Sequence, residues 1–244
     1  MSRPDVQAVV LAAGLGTRLG RPLPKSQTRL RDGRTIMRQQ LDNLHAALGT
    51  DVRIAVVVGF KATVVMEAHP DLRFAYNEVF DSTNTSKSLL RALETSHAGG
   101  VLWMNGDVVF DPRILQHVQP WLDRDESFVC VNTEAVGDEE VKYTVDDGGF
   151  VRDLSKTVVG GLGEAVGINY VSSRDKAALV EELRACADTD YFERGLETAI
   201  ARQGLRVVPV DVSTYDVVEV DFEEDLQRAD RIDAGRLRLD PTAG

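Results

Sequence analysis

A glycine-rich turn closes the first apolar run of this 244-residue chain and limits its architecture more than any other segment. Val6 to Leu11 reads as a buried strand. The chain continues Leu11-Ala12-Ala13-Gly14-Leu15-Gly16-Thr17-Arg18-Leu19-Gly20-Arg21-Pro22-Leu23-Pro24-Lys25. The glycines let backbone N–H groups approach a polyphosphate closely. Arg18 adds a two-pronged donor for phosphate oxygens and Lys25 a point charge. Two familiar glycine loops are excluded. A dinucleotide fingerprint needs its third glycine one place earlier, a helix opening there, and an acid about 20 residues on. Pro22 and Pro24 forbid a regular helix, and the second strand ends Val56-Val57-Val58-Gly59-Phe60 with no acid. A Walker A loop ends in Gly-Lys-Ser/Thr, whereas Lys25-Ser26 follows a proline. What remains is a loop suited to a nucleoside triphosphate.

Downstream, apolar strand-like runs alternate with helical patterns. Thr35 to Leu48 is amphipathic, with Ile36, Leu41, Leu44 and Leu48 on one side. Strands are expected at Arg53–Val58, Leu72–Tyr76 and Gly100–Met104, with helices at Ala62–Ala68 and Thr85–Thr95 between them. Asn84 or Thr85 is placed to cap the second of these helices. Such alternation predicts an α/β fold with a mainly parallel sheet between helices. After residue 125 the pattern changes. Ser127–Val131, Val141–Val145, Val151–Leu154 and Val166–Val171 are strand-like, and Asp146-Asp147-Gly148-Gly149 is a hairpin signal. This predicts a small antiparallel β insertion, about residues 126–172, over one edge of the sheet. Helices at Ser173–Cys186 and Asp190–Arg202 follow, then strands Arg206–Val210 and Val217–Val220 and a helix Phe222–Ile232. One domain over residues 1–232 is expected, with a loose tail at 233–244.

The charge balance restricts partners. A net charge of -11 repels nucleic acid and anionic membranes, but a basic pocket inside an acidic shell can still take a small phosphorylated ligand. No run reaches the ~20 apolar residues of a membrane span, and no secretory leader is evident. Cys130 and Cys186 are the two cysteines, far apart, and read as buried reduced thiols of a cytoplasmic protein. The four scattered histidines argue against a transition-metal site.

Two aspartates end apolar strands. Asp107 follows Val101 to Gly106, and Asp221 follows Val217-Val218-Glu219-Val220. Ligands of open α/β sheets bind beyond the carboxyl ends of the strands, and a carboxylate there can hold Mg²⁺ against phosphate oxygens. Alone, Asp107 would start a turn to Pro112 and Asp221 would cap the last helix. Together with the phosphate loop they favour a metal–nucleotide site.

At this point the chain resembles a known family. Leu11 to Lys25, Asp107 and the run Val218-Glu219-Val220-Asp221 are similar to the nucleotidyltransferases that activate sugar phosphates and polar alcohol phosphates, the sugar-phosphate and MobA-like NTP transferases. The resemblance reaches to about residue 230. It implies a Rossmann-like, mixed and mainly parallel sheet of the glycosyltransferase-A type. It also implies triphosphate binding by Leu11, Ala12, Ala13, Gly14, Gly16, Thr17, Arg18 and Lys25, with Mg²⁺ on Asp107 and Asp221. The segment Asn77 to Leu89 looks like that of choline-phosphate, inositol-phosphate and phosphonate cytidylyltransferases. By that likeness Asn84, Ser86 and Ser88 approach the nucleotide, a role compatible with a helix N-terminus. Val141-Lys142-Tyr143, Asp153 to Lys156 and Glu164 to Ile168 resemble the acceptor side of those enzymes. Lys142, Lys156, Glu164 and Tyr191 are therefore acceptor-binding candidates, although either lysine taken alone reads first as an exposed strand residue and core packing explains Phe192 at least as well. An aromatic and acidic pocket at Tyr191-Phe192-Glu193 would suit a cationic head group. The chain departs from the sugar-phosphate branch in the short stretch, Leu19 to Pro24, between Arg18 and Lys25. That stretch resembles the methylerythritol-phosphate cytidylyltransferase, whose middle motif is absent here.

The resemblance implies in-line attack by an acceptor phosphate or phosphonate oxygen on the α-phosphorus of CTP, with Lys25 and Arg18 as the catalytic pair and pyrophosphate leaving. Two other readings stay open: a sugar-1-phosphate nucleotidyltransferase using UTP, dTTP or GTP, and an inactive nucleotide-binding module. The sequence leaves room for a homodimer.

Overall fold

The computed structural model describes residues 5–134, 137 and 140–236. Strand β1 (Gln7–Ala12) is buried throughout and forms the axis of the main sheet. It is flanked in parallel by β2 (Arg53–Val58) on one side and β4 (Val101–Asn105) on the other. From β1 the chain passes through helix α1 (Ile36–Leu48) to β2, then through α2 (Ala62–Ala68) to β3 (Arg73–Tyr76) at the sheet edge. It returns through α3 (Thr85–Glu94) to β4, on the far side of β1. This reversal leaves a crevice between the carboxyl ends of β1 and β4, where a doubly wound sheet holds its ligand. The glycine loop leaves β1 at that crevice, and Asn105-Gly106-Asp107 leaves β4 there.

Local chemistry sets the element ends. Thr35 caps α1 by accepting from the Arg38 N–H, and Asn84 caps α3 by accepting from the Thr85 N–H. Alternate residues of β1 face opposite layers. Ala8 and Val10 pack with Met37, Leu41 and Leu44 of α1. Val9 and Leu11 pack with Leu89 and Leu93 of α3 and, further along that face, with Leu179, Leu183 and Leu196 of two later helices.

The second half differs from the insertion expected over residues 126–172. Strands β6 (Phe128–Asn132) and β9 (Glu164–Val171) are integral to the main sheet. β9 pairs antiparallel with both β4 and β6, giving the order β10-β6-β9-β4-β1-β2-β3 once β10 (Val208–Asp211) joins β6 in parallel. Only the hairpin of β7 (Lys142–Val145) and β8 (Val151–Ser155) stands off this path. The reason is burial: Ile168 to Val171 and Phe128 to Val131 are all closed from solvent, which an edge insertion cannot provide.

Further elements lie where the sequence reading placed none. β5 (Val108–Phe110) follows Asp107, where a turn to Pro112 was the alternative for Asp107 alone, and the short helices α4 (Arg113–His117) and α5 (Gln119–Arg124) come after it. Helix α6 (Lys176–Ala185) begins three residues later than expected, since Ser172 and Ser173 are engaged with Asp175 and Asp125, and α7 (Phe192–Gln203) two residues later, since Asp190 is engaged with Ala187. β11 (Val217–Glu219) pairs antiparallel with β5 as a separate two-stranded sheet. Its apolar face meets Leu226 and Ala229 of α8 (Glu223–Arg236). α8 thus runs four residues into the stretch expected to be loose, and residues 237–244 of that tail lie outside the described residues. Cys130 is buried, whereas Cys186, expected to be buried, is half-exposed where α6 ends. No helix among the described residues is long and apolar enough to cross a membrane.

Candidate active site

The antiparallel pairing of β5 with β11 builds the acidic part of the crevice. Glu219 lies opposite Val108, and the next backbone bond runs from the Val220 N–H to the Asp107 carbonyl at 2.9 Å. That register brings Asp107, Glu219 and Asp221 together from positions more than 110 residues apart, with carboxylate oxygens within 4.8 Å of one another. Glu219 carried no role in the sequence reading. Its signal was the apolar run Val108-Val109-Phe110, which marks a strand able to pair with Val217 to Glu219.

The glycine loop delivers cations to this cluster. Two single turns of 3-10 helix, Thr17–Leu19 and Lys25–Gln27, bracket the prolines, consistent with the exclusion of a regular helix. Gly16 has φ +61, and a Cβ there would lie 2.8 Å from the Lys25 side chain, so only glycine lets the loop fold back over the lysine. Lys25 Nζ pairs with Asp107 Oδ2 at 3.1 Å and also with Asp221 Oδ1. Arg18 Nη1 pairs with Asp221 Oδ2 at 2.9 Å. Beyond them Arg21 bonds Glu223, and Lys61 holds the Pro22 carbonyl at 2.6 Å. Arg18, Lys25, Asp107 and Asp221, singled out in the sequence, therefore meet in one place.

The titration behaviour follows from this geometry. Burial pushes Asp107 up, and Lys25 only partly offsets it. Burial acts on Asp221 in the same sense, but Lys25 and Arg18 outweigh it and hold its carboxyl below the usual range. Burial lowers the Lys25 pKa, yet the two aspartates raise it overall. Glu219 opens on the cleft, but protein crowds its carboxylate. That crowding, then the charges of Asp107, Asp221 and Glu140, lifts it to about 8. Three hard oxygen donors this close suit a divalent cation such as Mg²⁺, and an ammonium group already sits between two of them.

The remaining candidates divide. Leu11, Ala12 and Ala13 are buried at the base of the loop, while Gly14 is open, with nothing within 4 Å of where a Cβ would stand. The Thr17 side chain lies outside the described residues. Ser88 faces inward and accepts from Asn77 Nδ2 at 3.2 Å. Ser86 is fully buried, and its Oγ meets no partner among the described residues. Asn84 caps α3 and also bonds the Asp188 and Thr189 carbonyls, tying α3 to the approach of α7.

On the other wall, Lys142 lies opposite Glu164 in the β7–β9 register and its Nζ donates to the Lys156 carbonyl at 3.3 Å. Glu164 accepts from the Gly137 N–H at 2.9 Å. Lys156 Nζ stands 5.5 Å from the centre of the Tyr191 ring, and Tyr191 in turn lies within electrostatic reach of Arg18. Phe192 is core, edge-on to Trp103 at 5.6 Å. Glu193 is 8% exposed, its Oε2 has no hydrogen-bond partner among the described residues, and burial lifts its pKa to about 7 against the opposing effects of a backbone hydrogen bond and of Lys156.

Comparison with known proteins identifies the family and the fold. Residues 8–207 match the model of the MobA-like NTP transferase domain, a span that stops short of Glu219 and Asp221. The chain is 28% identical over 251 aligned positions to a CMP-5'-(3-aminopropyl)phosphonate synthase of Streptomyces rubellomurinus, covering 92% of this chain but 38% of that longer protein. Among solved structures, the CTP:phosphocholine cytidylyltransferase of Streptococcus pneumoniae superposes with a TM-score of 0.71 at 20% identity, over 95% of this chain and 99% of that one. The inositol-1-phosphate CTP transferase of T. maritima superposes with a TM-score of 0.74 at 16% identity, over 96% and 99%. Both likenesses establish the fold: a mixed, mostly parallel sheet flanked by helices.

Proposed function

The chain belongs to the MobA-like NTP transferase domain family, and on that premise we propose that it transfers CMP from CTP to a small acceptor bearing a phosphate or phosphonate, releasing pyrophosphate. The observation that carries the reading is the meeting of Arg18 and Lys25 with Asp107, Glu219 and Asp221 at the carboxyl ends of β1 and β4. Cytidine is favoured because the relatives above are named for CMP or CTP chemistry. The proposed catalytic unit is one domain over residues 1–232.

An acceptor oxygen attacks the α-phosphorus. A P–O bond forms as the bond to the β-phosphate oxygen breaks, and the pair of electrons leaves with pyrophosphate. A phosphate or phosphonate oxygen is already ionised at pH 7, so no strong base is required, and positioning with charge neutralisation does the chemistry. Asp107, Asp221 and Glu219 would hold a Mg²⁺ ion, which supplies positive charge against the phosphate oxygens. Arg18 and Lys25 leave their aspartates and turn to the α-phosphate and the departing pyrophosphate.

For the acceptor, the second wall suggests an amine. Lys156, Lys142 or both would take its phosphate or phosphonate end. Glu193, a buried carboxylate with one oxygen unpartnered among the described residues, beside the half-exposed Tyr191 ring, suits an ammonium head. This favours an aminoalkylphosphonate or phosphocholine over a polyol phosphate.

The test is pyrophosphate release with Mg²⁺ and each of CTP, UTP, dTTP, GTP and ATP, paired with 2-aminoethylphosphonate, 3-aminopropylphosphonate, phosphocholine, inositol phosphate, glycerol phosphate and hexose 1-phosphates. The expected result is release with CTP and an amine-bearing acceptor. Release confined to a hexose 1-phosphate with another nucleotide would place the chain in the sugar branch. Nucleotide binding without release from any pair would point to an inactive binding module.

A further inference from the structure

The turn that carries Asp107 is held by hydrogen bonds to its backbone, and two of them come from one buried side chain. Gly106 N–H donates to the Leu11 carbonyl at 2.9 Å, fastening the turn to the root of the glycine loop. A Cβ at Gly106 would sit 2.7 Å from that same carbonyl, so the strands close up only because it is glycine. The Asp107 carbonyl accepts from Val220, fastening the turn to the strand that bears Glu219 and Asp221. The carbonyls on either side, Asn105 and Val108, both accept from Gln40 Nε2 at 2.8 Å.

Gln40 is fully buried in α1, on a helix that otherwise presents Met37, Leu41 and Leu44 to the sheet. Its neighbours Gln39 and Asn43 donate to the Phe110 carbonyl at 2.8 and 3.1 Å, three residues beyond Asp107. All three amides satisfy strand carbonyls that have no ladder partner, which explains their presence in a core. Only Gln40 brackets the acidic turn itself. A single amide group spanning the carbonyls of residues 105 and 108 fixes the separation of those two peptide units, and with it the direction in which the Asp107 side chain leaves the backbone.

We infer that Gln40 is a positioning residue for the metal site: its amide sets the Asp107 carboxylate in register with Glu219 and Asp221, which hold the cation. The inference rests on the nucleotidyltransferase reading above. Removing a group that orients a metal ligand typically weakens metal affinity by about 10- to 100-fold.

The experiment is Mn²⁺ binding to the full chain, followed by electron paramagnetic resonance in the presence of α,β-methylene CTP, together with the metal dependence of turnover. Wild type is expected to bind Mn²⁺ in that complex; if it does not, the metal–nucleotide reading itself fails. Gln40→Met is expected to bind Mn²⁺ at least about 10-fold more weakly, with kcat recovering at saturating metal and the KM for acceptor unchanged. Asn43→Leu removes a comparable buried amide bond away from the turn, so it is expected to lower Tm while leaving Mn²⁺ affinity as in wild type. Should Gln40→Met not fold, Gln40→Asn keeps the amide but is too short to span both carbonyls, and the same loss is expected. Equal Mn²⁺ affinity in wild type and the Gln40 variant, or an equal loss in Asn43→Leu, would overturn the inference.

Discussion

The two walls of the crevice handle charge in opposite ways. On the proposed nucleotide side the two aspartates are compensated within the protein, with Glu219 crowded beside them: Lys25 is shared by Asp107 and Asp221, and Arg18 takes the remaining Asp221 oxygen. On the proposed acceptor side Glu193 is buried with an oxygen that meets no donor among the described residues, and Lys156, whose charge acts on it, lies over the Tyr191 ring. A compensated wall folds without ligand and then exchanges partners. An uncompensated carboxylate costs stability until a cation reaches it. The contrast suggests that the first wall is built for turnover and the second for selecting what is turned over.

The largest expected effect breaks the compensated wall. Lys25→Ala removes a cation aimed at developing phosphate charge, and turnover is expected to fall 10²–10³-fold, about 2.7–4 kcal/mol of transition-state stabilisation. The same variant leaves Asp107, Glu219 and Asp221 facing one another without their ammonium. Mg²⁺ alone is therefore expected to raise its Tm more than it raises that of wild type. Near-full turnover in the pyrophosphate assay would remove Lys25 from the chemistry.

Next in size is a change on the uncompensated wall. The Glu193 carboxyl is raised from an ordinary carboxylate value near 4.5 to about 7. A raised acid keeps its proton in the folded chain after the unfolded chain has lost it. The unfolded state then binds fewer protons, and stability falls as pH rises from about 4.5 to about 7, then levels off. The loss amounts to about 3 kcal/mol for a shift of this size. Glu193→Gln is expected to abolish that dependence, so urea unfolding should show the variant more stable than wild type at pH 8 and little different at pH 4.5. An ammonium-bearing acceptor should bind wild type more tightly as pH rises through 7, and an alkylphosphonate without the amine should not. If both acceptors follow one pH profile, Glu193 is not the head-group partner.

These contrasts also mark how far the sequence could be read. Patterns that depend on near neighbours were legible: the apolar β1, the amphipathic α1, the glycine–proline loop and the alternation through β4 all have local signatures. What sequence reading missed depends on pairing over long separations. β9 reads as an insertion strand because nothing local shows that it lies between β4 and β6. Glu219 stays silent until β5 is known to pair with β11. Gln40 looks like an ordinary helix residue, since its importance lies in two carbonyls 65 and 68 positions away. Lys25, Asp107 and Asp221, which the structure brings together, could be singled out because their residue types and places at strand ends carry a local signal. Glu193 was legible only as one member of an aromatic–acidic string, and its burial was not.

The smallest expected effect sharpens the boundary between the two walls. Asn84 ties α3 to the approach of α7: its side chain caps α3 through the Thr85 N–H at 2.8 Å and reaches the Thr189 carbonyl near the start of α7 at 3.4 Å. A cap of this kind is worth about 1 kcal/mol. Asn84→Ala is expected to lower stability by about that amount, and Asn84→Ser, which keeps a capping oxygen, by a few tenths. If Asn84 also meets the nucleotide, its loss should raise the KM for CTP in both variants, because serine restores the cap but not the amide donor. If it is a cap alone, the KM for CTP should follow stability and recover in the serine variant. Comparing the two substitutions at one temperature well below both Tm values separates a residue that only holds α3 in place from one that the triphosphate side uses directly.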